Sequence, residues 1–312
     1  MTPVLALVAA LALAGGGIGF GAGEKEGSAG LTVTTGYGSE LLIERPLDGL
    51  SQSSTAMRLL DGSTEIETRY GGGFVQSIQG ISGTAGSRSS DWFYFVNGVA
   101  AERGAAEFLV GPGDRIWWDF RDWTDAMDLN AVVGAFPAPM STGFDGSDWP
   151  VAVECPVEDA ACEMVEAQLA RHGVEVSAGE RPAALRIVVG DWRSIRSDAA
   201  ARRLGSAPAV SGVFARFFQD DGRITLQGLG VDGTTVREFG PGSGLVAATR
   251  RAGEPPVWLV TGTDRAGVRL AAAALNPEDL ANRYAAFVQN GRVGSLPIVR
   301  PGPESPDSGD PR

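Results

Sequence analysis

Short runs of alternating apolar and polar residues, separated by glycine turns, dominate the chain between residues 31 and 120. Leu31–Thr35 alternates in the way that is typical of a strand with one buried face. Residues 54–60 instead place Ala56, Leu59 and Leu60 at helical spacing, behind serine and threonine hydroxyls that can cap a helix. The pattern predicts a small sheet of about five strands with one early helix.

Residues 66–120 contain a predicted hairpin and the predicted aromatic strands of that sheet. Residues 66–81 have three consecutive glycines at their centre and predict a hairpin. Trp92–Val96 predicts a strand that ends at Asn97-Gly98, a strong turn signal. After a second turn, residues 115–120 predict the last strand.

From Val151 the pattern changes to buried strands that alternate with helices, which is typical of an α/β domain. Residues 122–149 are irregular and are interpreted as the connection between the two regions. The predicted elements of the second region are strands at 151–155, 185–189 and 257–260, helices at 160–171, 265–275 and 277–288, and a hairpin of 210–218 with 223–229 that 235–239 extends.

The amino terminus predicts export. Val4–Ala14 is an unbroken apolar run, too short for a bilayer span of about 20 residues but long enough for the core of a secretory signal. Whether the signal is cleaved or retained stays open. We therefore expect a secreted or cell-envelope protein with no membrane span after cleavage. The predicted division is signal peptide 1–23, linker 24–30, first domain 31–122, connection 123–149, α/β domain 150–300 and disordered tail 301–312.

Charge and cysteines narrow the choice of partners. The formal net charge of −12 argues against a nucleic-acid partner, which normally meets a basic face. Cys155 and Cys162 are the only cysteines, and their spacing fits neither a redox dithiol nor half a zinc site. In an exported chain they predict a disulfide, with two free buried thiols as the alternative.

The sequence offers no positive case for an enzyme, a metal or a cofactor. His172 is the single histidine, and its place before Gly173 predicts a structural role at a helix end. Asp119, Asp122, Asp125 and Asp128 recur every third residue, which favours a solvated face over a calcium site. A hydrolase that uses paired carboxylates stays open as a lesser alternative.

Aromatic density is the most unusual feature of the chain. Successive side chains of a strand point to opposite faces, so Trp92 and Tyr94 share one face and Phe93 takes the other. One set of rings fills a core, and the other must be covered by a ligand, a second domain or another chain. The candidate ligand-binding residues are Tyr37, Trp92, Tyr94, Asn97, Trp117 and Trp118.

The stretch Asp91–Gly98 (DWFYFVNG) resembles the transcobalamin-like C-terminal domain family. The likeness continues through residues 104–106 and 111–118, and upstream through 33–38 and 55–60, so it spans about 31–122. It implies a β-grasp-like fold, which in vertebrate cobalamin carriers forms one half of a clamp around the corrin. In those carriers the β-grasp-like domain is accompanied by an α/α-barrel, whereas the region from Val151 onward is predicted to be an α/β domain.

These observations predict an α+β protein with a β-grasp-like N-terminal domain followed by a separate α/β domain. We expect an exported binding protein that uses its aromatic face, with cobalamin, another flat organic ligand or a sugar as the candidate ligand. The alternative is a structural or assembly protein whose aromatic face packs against its own second domain or another subunit, with no small ligand. The expected partner is a small organic ligand or an envelope protein.

Overall fold

The computed structural model describes residues 23, 25–83, 89–178 and 183–299. Most of the predicted signal peptide, 1–23, and all of the predicted tail, 301–312, lie outside these residues. The predicted linker, 24–30, ends inside the first strand, which already begins at Ala29.

The first half is a mixed five-stranded sheet with one helix across a face. Its strand order is β2-β1-β8-β6-β7; β1 runs parallel to β8 and antiparallel to β2. The helix α1 buries Ala56, Met57 and Leu60 against that sheet. The elements are β1 Ala29–Thr35, β2 Glu40–Leu47, α1 Ala56–Asp61, β3 Ile66–Arg69, β4 Phe74–Ile78, β5 Ile81–Ser82, β6 Ser90–Val96, β7 Val99–Ala100 and β8 Arg115–Asp122.

The second half is a six-stranded sheet in the order β17-β16-β14-β15-β10-β9, with β9, β10 and β15 parallel. Helices α2 and α6 cover one face, while the small sheet β11-β12-β13 packs against the other. The elements are β9 Val151–Glu154, α2 Ala160–Arg171, β10 Leu185–Asp191, α3 Trp192–Ile195, α4 Ala199–Arg203, α5 Pro208–Ser211, β11 Ala215–Asp220, β12 Arg223–Leu229, β13 Thr235–Phe239, β14 Gly244–Thr249, β15 Val257–Gly262, α6 Arg265–Ala273, α7 Pro277–Leu280, β16 Ala285–Gln289 and β17 Arg292–Leu296.

This architecture confirms the predicted α+β class with two domains. The predicted disulfide is also confirmed: Cys155 follows β9 and is bonded to Cys162 near the start of α2, so the two free thiols of the alternative are excluded. None of the helices in the described part of the chain is long and apolar enough to cross a bilayer.

Two of the predicted elements are wrong. The predicted helix 277–288 stops at Leu280 because Asn282 has a positive φ of 57°, and the apolar run that follows is the strand β16. There it pairs with β14, a strand that sequence reasoning missed. The predicted strand 210–218 begins only at Ala215, because Pro208–Ser211 forms a helical turn that ends at Gly212.

The two halves meet where glycines let backbone approach backbone. A Cβ on Gly38, whose φ is 78°, would lie 1.9 Å from the carbonyl oxygen of Asn282. A Cβ on Gly134 would lie 2.9 Å from the backbone nitrogen of Arg283. The first half therefore docks on residues 282–283 through contacts that no larger residue permits.

We predict that Gly38→Ala lowers the free energy of unfolding by at least about 2 kcal/mol, since overpacking adds to an unfavourable φ. Gly49→Ala is the matched control, because Gly49 also has a positive φ, of 67°, but nothing lies within 4 Å of its Cβ position. Urea unfolding of both variants measures the difference. Equal losses would contradict the close approach at Asn282.

Candidate functional site

Large rings occupy both faces of the neighbouring strands β6 and β8. As predicted, Trp92 and Tyr94 share a face, and Trp118 joins them in the core beneath α1. Trp117 points to the opposite face, together with Phe95. Both faces of the sheet are therefore apolar and both need a cover.

The face beneath α1 brings together three of the predicted site residues. Tyr94 stacks on Trp118 with 4.8 Å between ring centroids. Trp92 donates its indole N–H to the carbonyl of Ile81 at 2.9 Å. The Tyr94 hydroxyl donates to the carbonyl of Arg103 at 2.5 Å, and burial raises the pKa of this tyrosine well above its usual value. These contacts hold the rings in fixed orientations.

The opposite face is covered by the second half of the chain. Tyr284 lies edge-on to Trp117 and Phe95, with centroid distances of 5.3 and 5.5 Å. Tyr37 lies between Phe214 and Tyr284 at 5.3 and 5.2 Å. Trp117 and Tyr37 are thus part of a core shared by the two halves.

Asn97 and Tyr37 hold turns. The Asn97 side chain is fully buried; its amide donates to Asp114 at 2.7 Å and to the carbonyl of Gly143 at 2.9 Å. Its own oxygen accepts the backbone N–H of Arg115 at 2.8 Å. The Tyr37 hydroxyl donates to the carbonyl of Asp122 at 2.5 Å, and burial raises its pKa to about 12. The structure does not bring these two side chains to the other three.

A groove of about 340 Å³ runs along the outer edge of β6. It exists because β7 covers only the end of that strand: Phe95 pairs with Ala100 and Val96 with Val99, and the chain then turns away. Side chains from both faces of the sheet reach it. The residues that line this β6 groove include Phe74, Trp92, Phe93, Tyr94, Ala100, Ala101, Gly104, Ala105, Trp118, Arg121, Met127 and Asn130.

Two lining residues of the β6 groove carry hydrogen-bond donors that have no partner among the described residues. One is the indole Nε1 of Trp118, and the other is the Nε of Arg121. The Arg121 guanidinium lies 3.8 Å from the centre of the Phe93 ring and donates to the carbonyls of Ala126 and Met127 at 2.8 and 2.6 Å. A buried donor without an acceptor costs free energy, so such groups mark places where an acceptor is missing.

Asp119 is a buried polar residue that sequence reasoning missed. The structure overturns the predicted solvated face at this position, because Asp119 is fully buried at the junction of the two halves. One carboxylate oxygen accepts from Thr34 Oγ1 at 2.6 Å and Gly38 N at 3.1 Å. The other accepts from Tyr37 N at 3.0 Å and Tyr284 Oη at 2.8 Å.

Burial raises the pKa of Asp119, and the hydrogen bonds from Thr34 and Tyr284 partly oppose that rise. The alternation of β8 was the signal that could have found this residue, since Asp119 falls on the same face as Trp117. Within the described residues, no group of three or more histidine, cysteine or acidic side chains is placed to hold a metal ion. His172 caps the end of α2, with its ring edge-on to Phe136.

Comparison with known proteins adds one match. A domain of unknown function, DUF4430, which is associated with transcobalamin-like proteins, matches residues 53–122. The match covers α1, β6 and β8, the elements that build the β6 groove. No curated protein matches the chain.

We predict that Asp119→Asn lowers the free energy of unfolding by roughly 1–3 kcal/mol, because each carboxylate oxygen faces a backbone N–H and an amide can accept only one of them. Tyr284→Phe removes a single hydroxyl donor and should cost less, about 1 kcal/mol. Thermal and urea unfolding compare the two variants. A smaller effect for Asp119→Asn than for Tyr284→Phe would contradict the assigned hydrogen bonds.

Proposed function

We propose that the protein is an exported binding protein whose β6 groove takes a small, flat organic ligand. The observation that carries the proposal is the groove itself, which is lined by stacked aromatic rings and by two residues whose buried donors have no partner. Ligand sites in proteins are typically apolar hollows of 300–1,000 Å³ with a few directed polar groups. The β6 groove, at about 340 Å³, falls at the lower end of that range.

The lining favours a planar ligand that carries hydrogen-bond acceptors. Rings such as Tyr94 and Phe93 offer faces and edges to a flat guest. Two donors without a partner, Nε1 of Trp118 and Nε of Arg121, are buried within the lining residues, so a small shift of these side chains would let them meet a carbonyl or ring nitrogen on the ligand. Sugars also stack on aromatic rings, but their hydroxyls need acceptors as well as donors.

Cobalamin, the ligand implied by the family resemblance, enters as one candidate. A groove of about 340 Å³ suits a ligand smaller than a whole corrinoid, so cobalamin would engage it by an edge. The proposal of export rests on the apolar run near the amino terminus and on the disulfide, which oxidising compartments favour.

A second candidate function is structural. Tyr37, Phe95 and Trp117 pack against Phe214 and Tyr284, so one aromatic face serves cohesion between the two halves. In this alternative the β6 groove receives no small molecule, and the rings act only as packing.

Binding of defined probes tests the proposal. We expect at least one of riboflavin, indole, cyanocobalamin and a phenyl β-glucoside to raise the melting temperature and to bind saturably, as followed by tryptophan fluorescence or, for the corrinoid, by absorbance. Phe74→Ala and Met127→Ala should weaken that binding about tenfold, because both side chains line the groove and are partly exposed.

Leu109→Ala is the control, since Leu109 is an exposed apolar residue outside the groove. Its probe affinity should match that of the unmodified protein. If no probe binds, or if Leu109→Ala weakens binding as much as the two groove variants, the small-ligand proposal fails. Absence of binding together with tryptophan emission that no probe alters would favour the structural alternative.

A further inference from the structure

Four arginines surround a second, smaller hollow in the other half of the protein. It has a volume of about 100 Å³ and lies between α4, the start of β10 and the turn that follows β14. Arg186, Arg203, Arg250 and Arg251 line it, with Glu254 as its one acidic lining residue. The arginine hollow, as we call it, shares no lining residue with the β6 groove.

Two of these arginines are held by carboxylates. Arg186 pairs with Glu154 at 2.7 and 2.5 Å and with Asp198 at 2.6 Å. Arg250 is almost fully buried; it donates to Glu102 at 2.7 Å and to the carbonyl of Glu254 at 2.7 Å. These contacts fix the positions of two guanidiniums at the wall of the hollow.

The other two arginines have no such partner. Among the described residues, no carboxylate oxygen lies within 4.0 Å of a nitrogen of Arg203 or Arg251. Arg203 donates from Nη2 to the carbonyl of Val210 at 2.7 Å, and its buried Nε has no acceptor. Burial, and then the charge of Arg251, lower the pKa of the Arg203 guanidinium, and the charge of Glu254 partly opposes that fall.

Three of the carboxylates near the hollow, Glu154, Asp198 and Glu102, already pair with Arg186 or Arg250, which leaves Glu254 as the acidic lining residue near Arg203 and Arg251. Like charges that share a partly buried site repel each other, and a bound anion would remove that cost. Guanidiniums also match the geometry of phosphate and sulfate, because their N–H groups form a planar fork. The four side chains come from three separate elements, so they approach the hollow from different directions. Such an arrangement suits a tetrahedral group better than a planar carboxylate.

We propose that the arginine hollow binds a tetrahedral oxyanion, a phosphate or sulfate group. Arg203 and Arg251 supply guanidiniums that have no ion-pair partner among the described residues, while Arg186 and Arg250 form the pre-positioned wall. Glu254 stands at the rim, where its carboxylate disfavours a second anionic group on the same ligand.

Inorganic phosphate is the probe that tests this site. Isothermal titration calorimetry in sodium chloride of matched ionic strength separates binding from general screening. We expect saturable binding with one site per chain, and Arg251→Ala should weaken it about tenfold through the loss of one charge-assisted contact. Arg251 is exposed, so this substitution leaves the core intact.

Arg202→Ala is the matched control, because Arg202 is the exposed neighbour of Arg203 on α4 and does not line the hollow. Its phosphate affinity should stay within about twofold of the unmodified protein. No saturable phosphate binding, or equal losses in Arg251→Ala and Arg202→Ala, would overturn the proposal.

If phosphate binds, two further experiments identify which kind of molecule carries the phosphate group. Competition by glucose 6-phosphate would support a soluble phosphate ester. Co-sedimentation with phosphatidylglycerol vesicles but not phosphatidylcholine vesicles, lost in Arg251→Ala, would support a lipid headgroup.

Discussion

Large rings on both faces of two neighbouring strands are the constraint on which the rest of this structure depends. Side chains alternate along β6 and β8, so one layer of covering structure can bury only half of them. Helix α1 covers the rings that include Trp92 and Trp118. The second half of the chain covers Trp117 and Phe95. The two domains are therefore joined by a core that each would expose if it stood alone.

A single buried carboxylate makes that junction specific. Apolar surfaces alone tolerate several docking positions, because the hydrophobic effect has no direction. The hydrogen bonds of Asp119 are directional, because its carboxylate oxygens need donors at fixed positions to offset the free-energy cost of burial. The donors come from β1, from the turn after it and from Tyr284, which lies 165 positions further along the chain. The glycines at 38 and 134 allow the close approach that these bonds require.

The segment between β7 and the end of the first domain connects the two proposed sites. Ala101 and Gly104 line the β6 groove. Between them, Glu102 accepts from Gly253 N and from Arg250 Nη1 at 3.0 and 2.7 Å, and these contacts lower its pKa. Glu102 therefore links the segment that lines the β6 groove to Arg250 in the wall of the arginine hollow.

The sequence by itself determined those features that depend on neighbours in the chain. Alternation along Trp92–Val96 and Trp117-Trp118 predicted which rings share a face, and the turn Asn97-Gly98 was predicted from two residues. The presence of Cys155 and Cys162 in a chain expected to be exported predicted the disulfide, and apolar spacing predicted α2 at its observed bounds.

Only the tertiary structure decided which partners cover these elements. Residues 285–289 have an apolar pattern that suits a helix or a strand, and pairing with β14 made them a strand. Asp119 continues the spacing of Asp122, Asp125 and Asp128, and only the contact with Tyr284 from the second half shows why it is buried. The β6 groove and the arginine hollow each gather residues from distant segments, and no local pattern encodes their proximity. Local preferences act over a few residues, whereas burial and charge compensation depend on which segments finally meet.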